Sequence, residues 1–128
     1  MGFISSFPGL EKLIEVTIEE RVPVITHSFA DPGPYIEAAH AAGSLVLVQV
    51  QTVAQALTAA NAGADAIAAQ GTEAGDHTGY SGTLAFVPTV VDAVEHRVPV
   101  VAAGGIADGL AAIGRRSVLS GRAQTTRC

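Results

Sequence analysis

The sequence predicts an α/β fold of parallel strands: a partial (β/α)8 TIM barrel of about four βα units with an irregular C-terminal tail. Three observations carry this reading. Short β-branched runs alternate with longer alanine-rich stretches of helical period. The short runs are apolar on both alternating faces, as strands covered on both sides are. They also begin at regular intervals, near residues 22, 44, 65 and 98, and the spacing widens only where a polar insert follows a strand. An open doubly wound sheet shares the alternation, but the even unit length favours the barrel.

Taken in order, strands are expected over residues 22–27, 44–50, 65–69 and 98–103. Four helices lie between and around them: one with a stripe of Leu10, Leu13, Ile14 and Ile18, then residues 34–42, 53–62 and 84–94. Thr52 stands where an N-cap hydroxyl accepts from a helix's first free amides. Gly43 and Gly63 stand where a left-handed C-cap belongs.

The chain has 128 residues, 48% of them hydrophobic, and a formal net charge of -5. That is the size and apolar content of one globular domain, and the acidic balance argues against a general nucleic-acid binder. Apolar runs are strand-sized and no secretory layout opens the chain, so a cytoplasmic protein without membrane spans is expected. The one cysteine, Cys128, leaves no intrachain disulfide and no cysteine-based metal site. A closed barrel needs eight strands and about 250 residues, so the chain is expected to be part of one. Its open sheet edges would favour self-association. Residues 1–113 read as the partial barrel. Residues 114–128 lose the apolar periodicity and carry four of the seven basic residues, Arg115, Arg116, Arg122 and Arg127, and read as a solvated tail or an out-of-frame end.

Polarity gathers in one place, the stretch AQGTEAGDHTG from Ala69 to Gly79, which begins on the last residue of the third expected strand. In a barrel this is the face where loops carry chemistry. Gly71, Gly75 and Gly79 keep such a loop compact and leave room for a planar ligand. His77 has the one side chain that titrates near neutrality, which suits proton transfer from a weak carbon acid; taken alone, it reads first as a solvated loop histidine. Glu73 is expected to brace the loop by accepting backbone hydrogen bonds, and Asp76 to be solvated. No second histidine stands at a ligand spacing from His77, so no metal is expected. His27, His40 and His96 read as structural: a strand-end, a helix-face and a helix-end residue.

The second motif is VPVVAAGGIADG, residues 98–109. A strand runs into Gly104-Gly105 and then a helix start, an arrangement that lets backbone N–H groups meet an anion. A plain βα turn, with glycine supplying an unusual backbone conformation, accounts for the pair equally well.

Together the two motifs, one βα unit apart, resemble the nitronate monooxygenase family, formerly 2-nitropropane dioxygenases, over about residues 8–113. The resemblance implies a flavin mononucleotide (FMN) barrel. It makes His77 the catalytic residue, places Gln49, Gln70 and Gly71 near the flavin ring, and assigns Gly104 and Gly105 to the flavin phosphate. The substrates it implies are a nitronate or nitroalkane and oxygen. A flavin-dependent enoyl-acyl-carrier-protein reductase, which has a similar Gly-Gly-His loop and needs a nicotinamide donor, is the enzymatic alternative. An inactive barrel fragment is the non-enzymatic one.

This sequence departs from the family pattern at three points. Asp76 replaces the second glycine of Gly-Gly-His and puts a negative charge beside the imidazole, where it would favour the protonated ring or repel an anionic nitronate. The family's first barrel strands have no counterpart before Met1. The family's Gly-Thr-Arg-Phe phosphate loop has none after Gly109. Part of the flavin site is therefore expected to be missing.

Overall fold

The computed structural model describes residues 1–4, 8–29, 31–75 and 79–107. Within them, one sheet of five parallel strands is laid down in chain order, with every neighbouring pair joined by a helical crossover. The strands are β1 (Gly2–Ile4), β2 (Val24–Ser28), β3 (Leu45–Val50), β4 (Ala66–Gln70) and β5 (Val100–Ala103). The helices are α1 (Glu11–Glu19), α2 (Gly33–Ala41), α3 (Val53–Ala62) and α4 (Thr83–Ala93). A sheet that adds each strand beside the last without reversal is the βα succession of a barrel, and a doubly wound sheet would reverse direction once.

Each expected strand and helix is present, its ends shifted by one or two residues. One element was not foreseen. Strand β1 pairs with β2 through Gly2↔Thr26 to Ile4↔Ser28, making five strands where four were expected; three residues are too few to show an alternating pattern. The α1 stripe also needs correction, since Leu13 is 54% exposed while Ile14 and Thr17 are buried. The buried Thr17 hydroxyl is satisfied by donating to the Leu13 carbonyl, 2.8 Å away.

Strand parity divides the sheet into two faces. Phe3, Ile25, His27, Val46, Val48, Val50, Ile67 and Ala69 are buried beneath the helices, against Ile14, Ile36, Ala56, Phe86 and Val90 among others. On the opposite face Ile4, Val24, Leu45 and Val101 are each 39–54% exposed. Register aligns Ile4, Ser28, Gln49, Ala68 and Val101 in one row across this face. This is the face that turns inward when such a sheet closes into a (β/α)8 barrel.

Two devices at the ends of elements set the loops. Helix α3 opens with a capping box: Thr52 Oγ1 accepts from Gln55 N at 3.2 Å, and Gln55 Oε1 accepts from Thr52 N at 3.1 Å and from Gln51 N at 2.8 Å. Gly63 closes the same helix at φ +95°. At the N-terminal rim of the sheet, Asp65 Oδ2 accepts from Val46 N at 2.7 Å and lies 2.8 Å from His40 Nε2, tying α2 to the starts of β3 and β4. His40 thus has the structural role expected of it. So has His27, buried in β2 with its ring stacked on Tyr35, the centroids 5.7 Å apart. His96 lies in the turn after α4 with φ +56°.

The expected boundary at residue 113, and the tail of residues 114–128, lie outside the described residues.

Candidate functional site

All the strands end on one rim, and the polar side chains of the inward face gather there. Ser28 closes β2, Gln49 stands one residue from the end of β3, Gln70 closes β4, and Gln51 follows β3 directly. Parity sends Ser28, Gln49, Gln51 and Gln70 to the same face, where they form a hydrogen-bonded chain. The Ser28 hydroxyl donates to Gln49 Oε1 at 3.2 Å, and Gln49 Nε2 donates to Gln70 Oε1 at 2.5 Å. Gln51 Nε2 donates to the same Gln70 oxygen at 3.0 Å. Two donors thus occupy the Gln70 carbonyl oxygen. With this amide orientation, its NH2 group is the part of the side chain left to serve a ligand as donor.

The loop after β4 is fastened at its described residues. Thr72, Glu73 and Ala74 form one turn of 3₁₀ helix. Glu73 Oε2 accepts from Thr83 N at 2.8 Å and from Thr83 Oγ1 at 2.7 Å. The carboxylate thereby caps α4, whose N-cap residue Gly82 has no side chain to do so. Thr72 N donates to Ser81 O at 3.0 Å, closing the base of the loop, and Gly79 lies so close to Gln51 that a Cβ there would be 3.1 Å from the Gln51 Cβ. The expectation that Glu73 braces the loop agrees with these bonds. His77 and Asp76 lie outside the described residues.

Strand β5 reaches the same rim. Gly71 N donates to Ala103 O at 2.9 Å, and Gly104 and Gly105 follow with φ of +120° and +63°. Glycine is therefore required here for backbone conformation. The helix expected after this turn lies outside the described residues. Five of the residues singled out in the sequence, Gln49, Gln70, Gly71, Gly104 and Gly105, come together at one end of the sheet, as parallel strands require. Ser28, Gln51 and Thr83 were not singled out. Ser28 and Gln51 could have been found by extending the Gln49–Gln70 pattern along strand parity. Thr83 shows no signal beyond its place at a helix start.

A cleft of about 270 Å³ opens beside this rim, between the β2–α2 connection and α3. Its walls include Phe29, Pro32, Val48, Val50 and Ala54. Of the three glutamines in the Ser28–Gln49–Gln70–Gln51 chain only Gln49 reaches it, so it adjoins the rim on the helix side and is not the mouth of the sheet. Among the described residues, no group of three or more His, Cys, Asp or Glu side chains could hold a metal ion, and no helix is long and apolar enough to cross a membrane.

Residues 4–115 match the model of the nitronate monooxygenase family. The chain belongs to that family. A nitronate monooxygenase of Neurospora crassa is 51% identical over 87 residues, which is 62% of this chain and 23% of that protein. FabK from Thermotoga maritima superposes with a TM-score of 0.84 at 37% identity, covering 91% of this chain and 37% of FabK. Nitroalkane oxidase from Streptomyces ansochromogenes superposes with a TM-score of 0.78 at 34% identity, covering 86% and 35%. The chain spans under a third of the length of the curated relatives it matches, 29% of one and 30% of another. The fold is thus part of a (β/α)8 barrel, and the rim that carries Gln49, Gln70 and Gly104 is the C-terminal end of its strands.

Proposed function

We propose that this family member supplies one side of the active site of an FMN-dependent enzyme that oxidises nitronates or nitroalkanes with oxygen. One observation carries the reading: within a chain matched by the family over residues 4–115, the glutamine chain and the Gly104-Gly105 turn occupy the same rim.

The residues present suit a flavin. Its ring edge is rich in carbonyl and nitrogen acceptors, and the Gln70 NH2 group is a donor at the rim. The Gly104-Gly105 turn is backbone without side chains, which suits the approach of a phosphate. Gln49, Gln70 and Gly71 would hold the ring, and Gly104 and Gly105 the phosphate. When bound, the flavin supplies the electron acceptor that amino-acid side chains lack.

The chain's own contributions are orientation and proton handling. Gln49 and Gln51 fix the Gln70 amide, so it meets a ligand without first ordering a mobile side chain. His77 is the base that takes the proton from the carbon acid or, with a nitronate already ionised, holds the substrate's oxygen by donating to it. The apolar side chains of the inward face, the exposed Leu45 and Val101 and the half-buried Leu47, would keep water from that side within a closed barrel.

The test places residues 4–107 of this chain in the corresponding segment of the Neurospora crassa enzyme. Oxygen uptake with propyl-2-nitronate is expected, and His77→Ala should lower it about a hundredfold or more. Oxidation of NADH by an enoyl thioester, with no oxygen uptake on the nitronate, would refute the reading and favour the reductase alternative.

A further inference from the structure

Thr83 fills a space that two glycines leave open. It is fully buried, and a Cβ built on Gly71 would lie 2.1 Å from its Oγ1, while one built on Gly104 would lie 2.7 Å from the same atom. Gly71 follows β4 and Gly104 follows β5, so a single threonine is wedged between two strand ends. The Gly104 position is also 2.8 Å from Ala74 N, within the 3₁₀ turn that carries Glu73. Glu73 grips Thr83 from the other side through two hydrogen bonds to one carboxylate oxygen. The Gly71 N–H to Ala103 carbonyl bond crosses the same junction, and Ala103 O lies 3.5 Å from Thr83 Oγ1.

Among the described residues of this loop, no large apolar side chain is buried as an anchor. Tyr80, the large side chain at the far end of the loop, is fully exposed, and Thr72, Glu73, Ala74 and Gly75 are all exposed. The described residues at the start of the loop are therefore held by the polar junction at Thr83.

We propose that Glu73 and Thr83 are a positioning pair that locks the turn after β4 to the Gly104-Gly105 turn after β5, so that the two move as one rim. The pair acts through backbone geometry and touches no reacting atom. Its value to catalysis rests on the reading above, in which both turns face one ligand; the lock itself does not. It sets the distance between the loop that leads to His77 and the turn assigned to phosphate.

Amide hydrogen exchange of the 128-residue chain tests the lock without flavin. In the unmodified chain the Gly71 and Thr83 amides should open together, with exchange rates corrected for sequence within about threefold of each other. Rates more than tenfold apart would overturn the proposal, whatever the variants do. Thr83→Val keeps the shape but removes the hydroxyl, and should speed exchange at Gly71 and Thr72 about tenfold. Thr83→Ser keeps the hydroxyl and should return both to within twofold of the original. The Asp65 amide, bonded to Val46 O at 2.9 Å on the opposite rim, should not change. A change confined to Thr83, or one equally large at Asp65, would contradict the lock. In the flavin-loaded chimera, Thr83→Val should lower kcat about tenfold with KM unchanged, and Thr83→Ser should restore it; an unaltered kcat would overturn the positioning role. Because exchange is read without flavin, failure of flavin binding would refute the functional reading and leave the lock standing.

Discussion

Gly71 and Thr83 approach so closely that a Cβ on Gly71 would lie 2.1 Å from the threonine Oγ1 and 2.3 Å from its backbone nitrogen. Gly71 has φ -88° and ψ 171°, a conformation open to any residue. The glycine is thus needed for space and not for backbone freedom. The first turn of α4 can seat against the end of β4 only because that side chain is absent.

Gly71→Ala should therefore destabilise the chain by about 2–3 kcal/mol, the cost of forcing an extra carbon into a packed junction. Gly43→Ala is the control. Gly43 has φ +85° with nothing within 4 Å of a Cβ, so only backbone strain of about 1 kcal/mol is expected. Urea midpoints of the two variants should differ in that order, and equal midpoints would contradict the crowding at Gly71.

The opposite rim should affect stability alone. Asp65→Ala removes the acceptor of the Val46 N–H, at a residue with no exposed surface, and should cost about 1–2 kcal/mol. In the flavin-loaded chimera it should leave nitronate KM unchanged. A raised KM would show that the two rims are not separable in function.

Acid should weaken the fold in two windows. Burial holds the His27 imidazole below its ordinary value, so the unfolded chain binds the proton first. Stability is complete above about pH 6.5 and falls as pH drops below it, at up to about 1.4 kcal/mol per pH unit. Burial pushes the Asp65 carboxyl up, but the Val46 N–H and the His40 imidazole outweigh it and leave the group below its usual value. Its contribution is present above about pH 3.9 and is lost as pH falls further. Urea titrations at pH 7.5, 5.5 and 4.5 check the first window, and His27→Phe should flatten it. A slope unchanged in His27→Phe would assign the loss to other groups.

The charge beside His77 has a kinetic signature. Asp76→Gly, which restores the family's glycine, should lower KM for an anionic nitronate several-fold at low salt and much less at high salt, while leaving a neutral nitroalkane unaffected. An equal effect on both substrates would point to loop conformation and not to charge.

Much of this architecture was legible because parallel strands have a simple grammar. Runs apolar on both faces gave β2 to β5, Thr52 and Gly63 gave the ends of α3, and shared strand direction put Gln70 and Gly104 on one rim. Strand β1 was illegible because three residues carry no period. The exposure of Leu13 was illegible because a helical stripe does not say how wide its neighbour is. Thr83 was illegible for a different reason: its importance lies in two glycines, 12 residues before and 21 after it in the sequence, and only the fold brings them together. The glutamine chain lies between these cases. Gln49 and Gln70 came from the family resemblance, whereas Gln51 was not singled out and the bond to Ser28 depends on the β2–β3 register.

Flavin retention by the chimera tests the central claim most directly. The purified protein, freed of unbound FMN, should show flavin absorbance near 450 nm at one flavin per chain. Gln70→Leu should weaken binding at least tenfold, the loss of a well-aligned hydrogen bond in a closed site. Asp65→Asn, on the far rim, should bind FMN as tightly as the parent. A colourless protein, or equal affinity in Gln70→Leu and Asp65→Asn, would contradict the assignment of the Gln49–Gln70–Gly104 rim to the flavin.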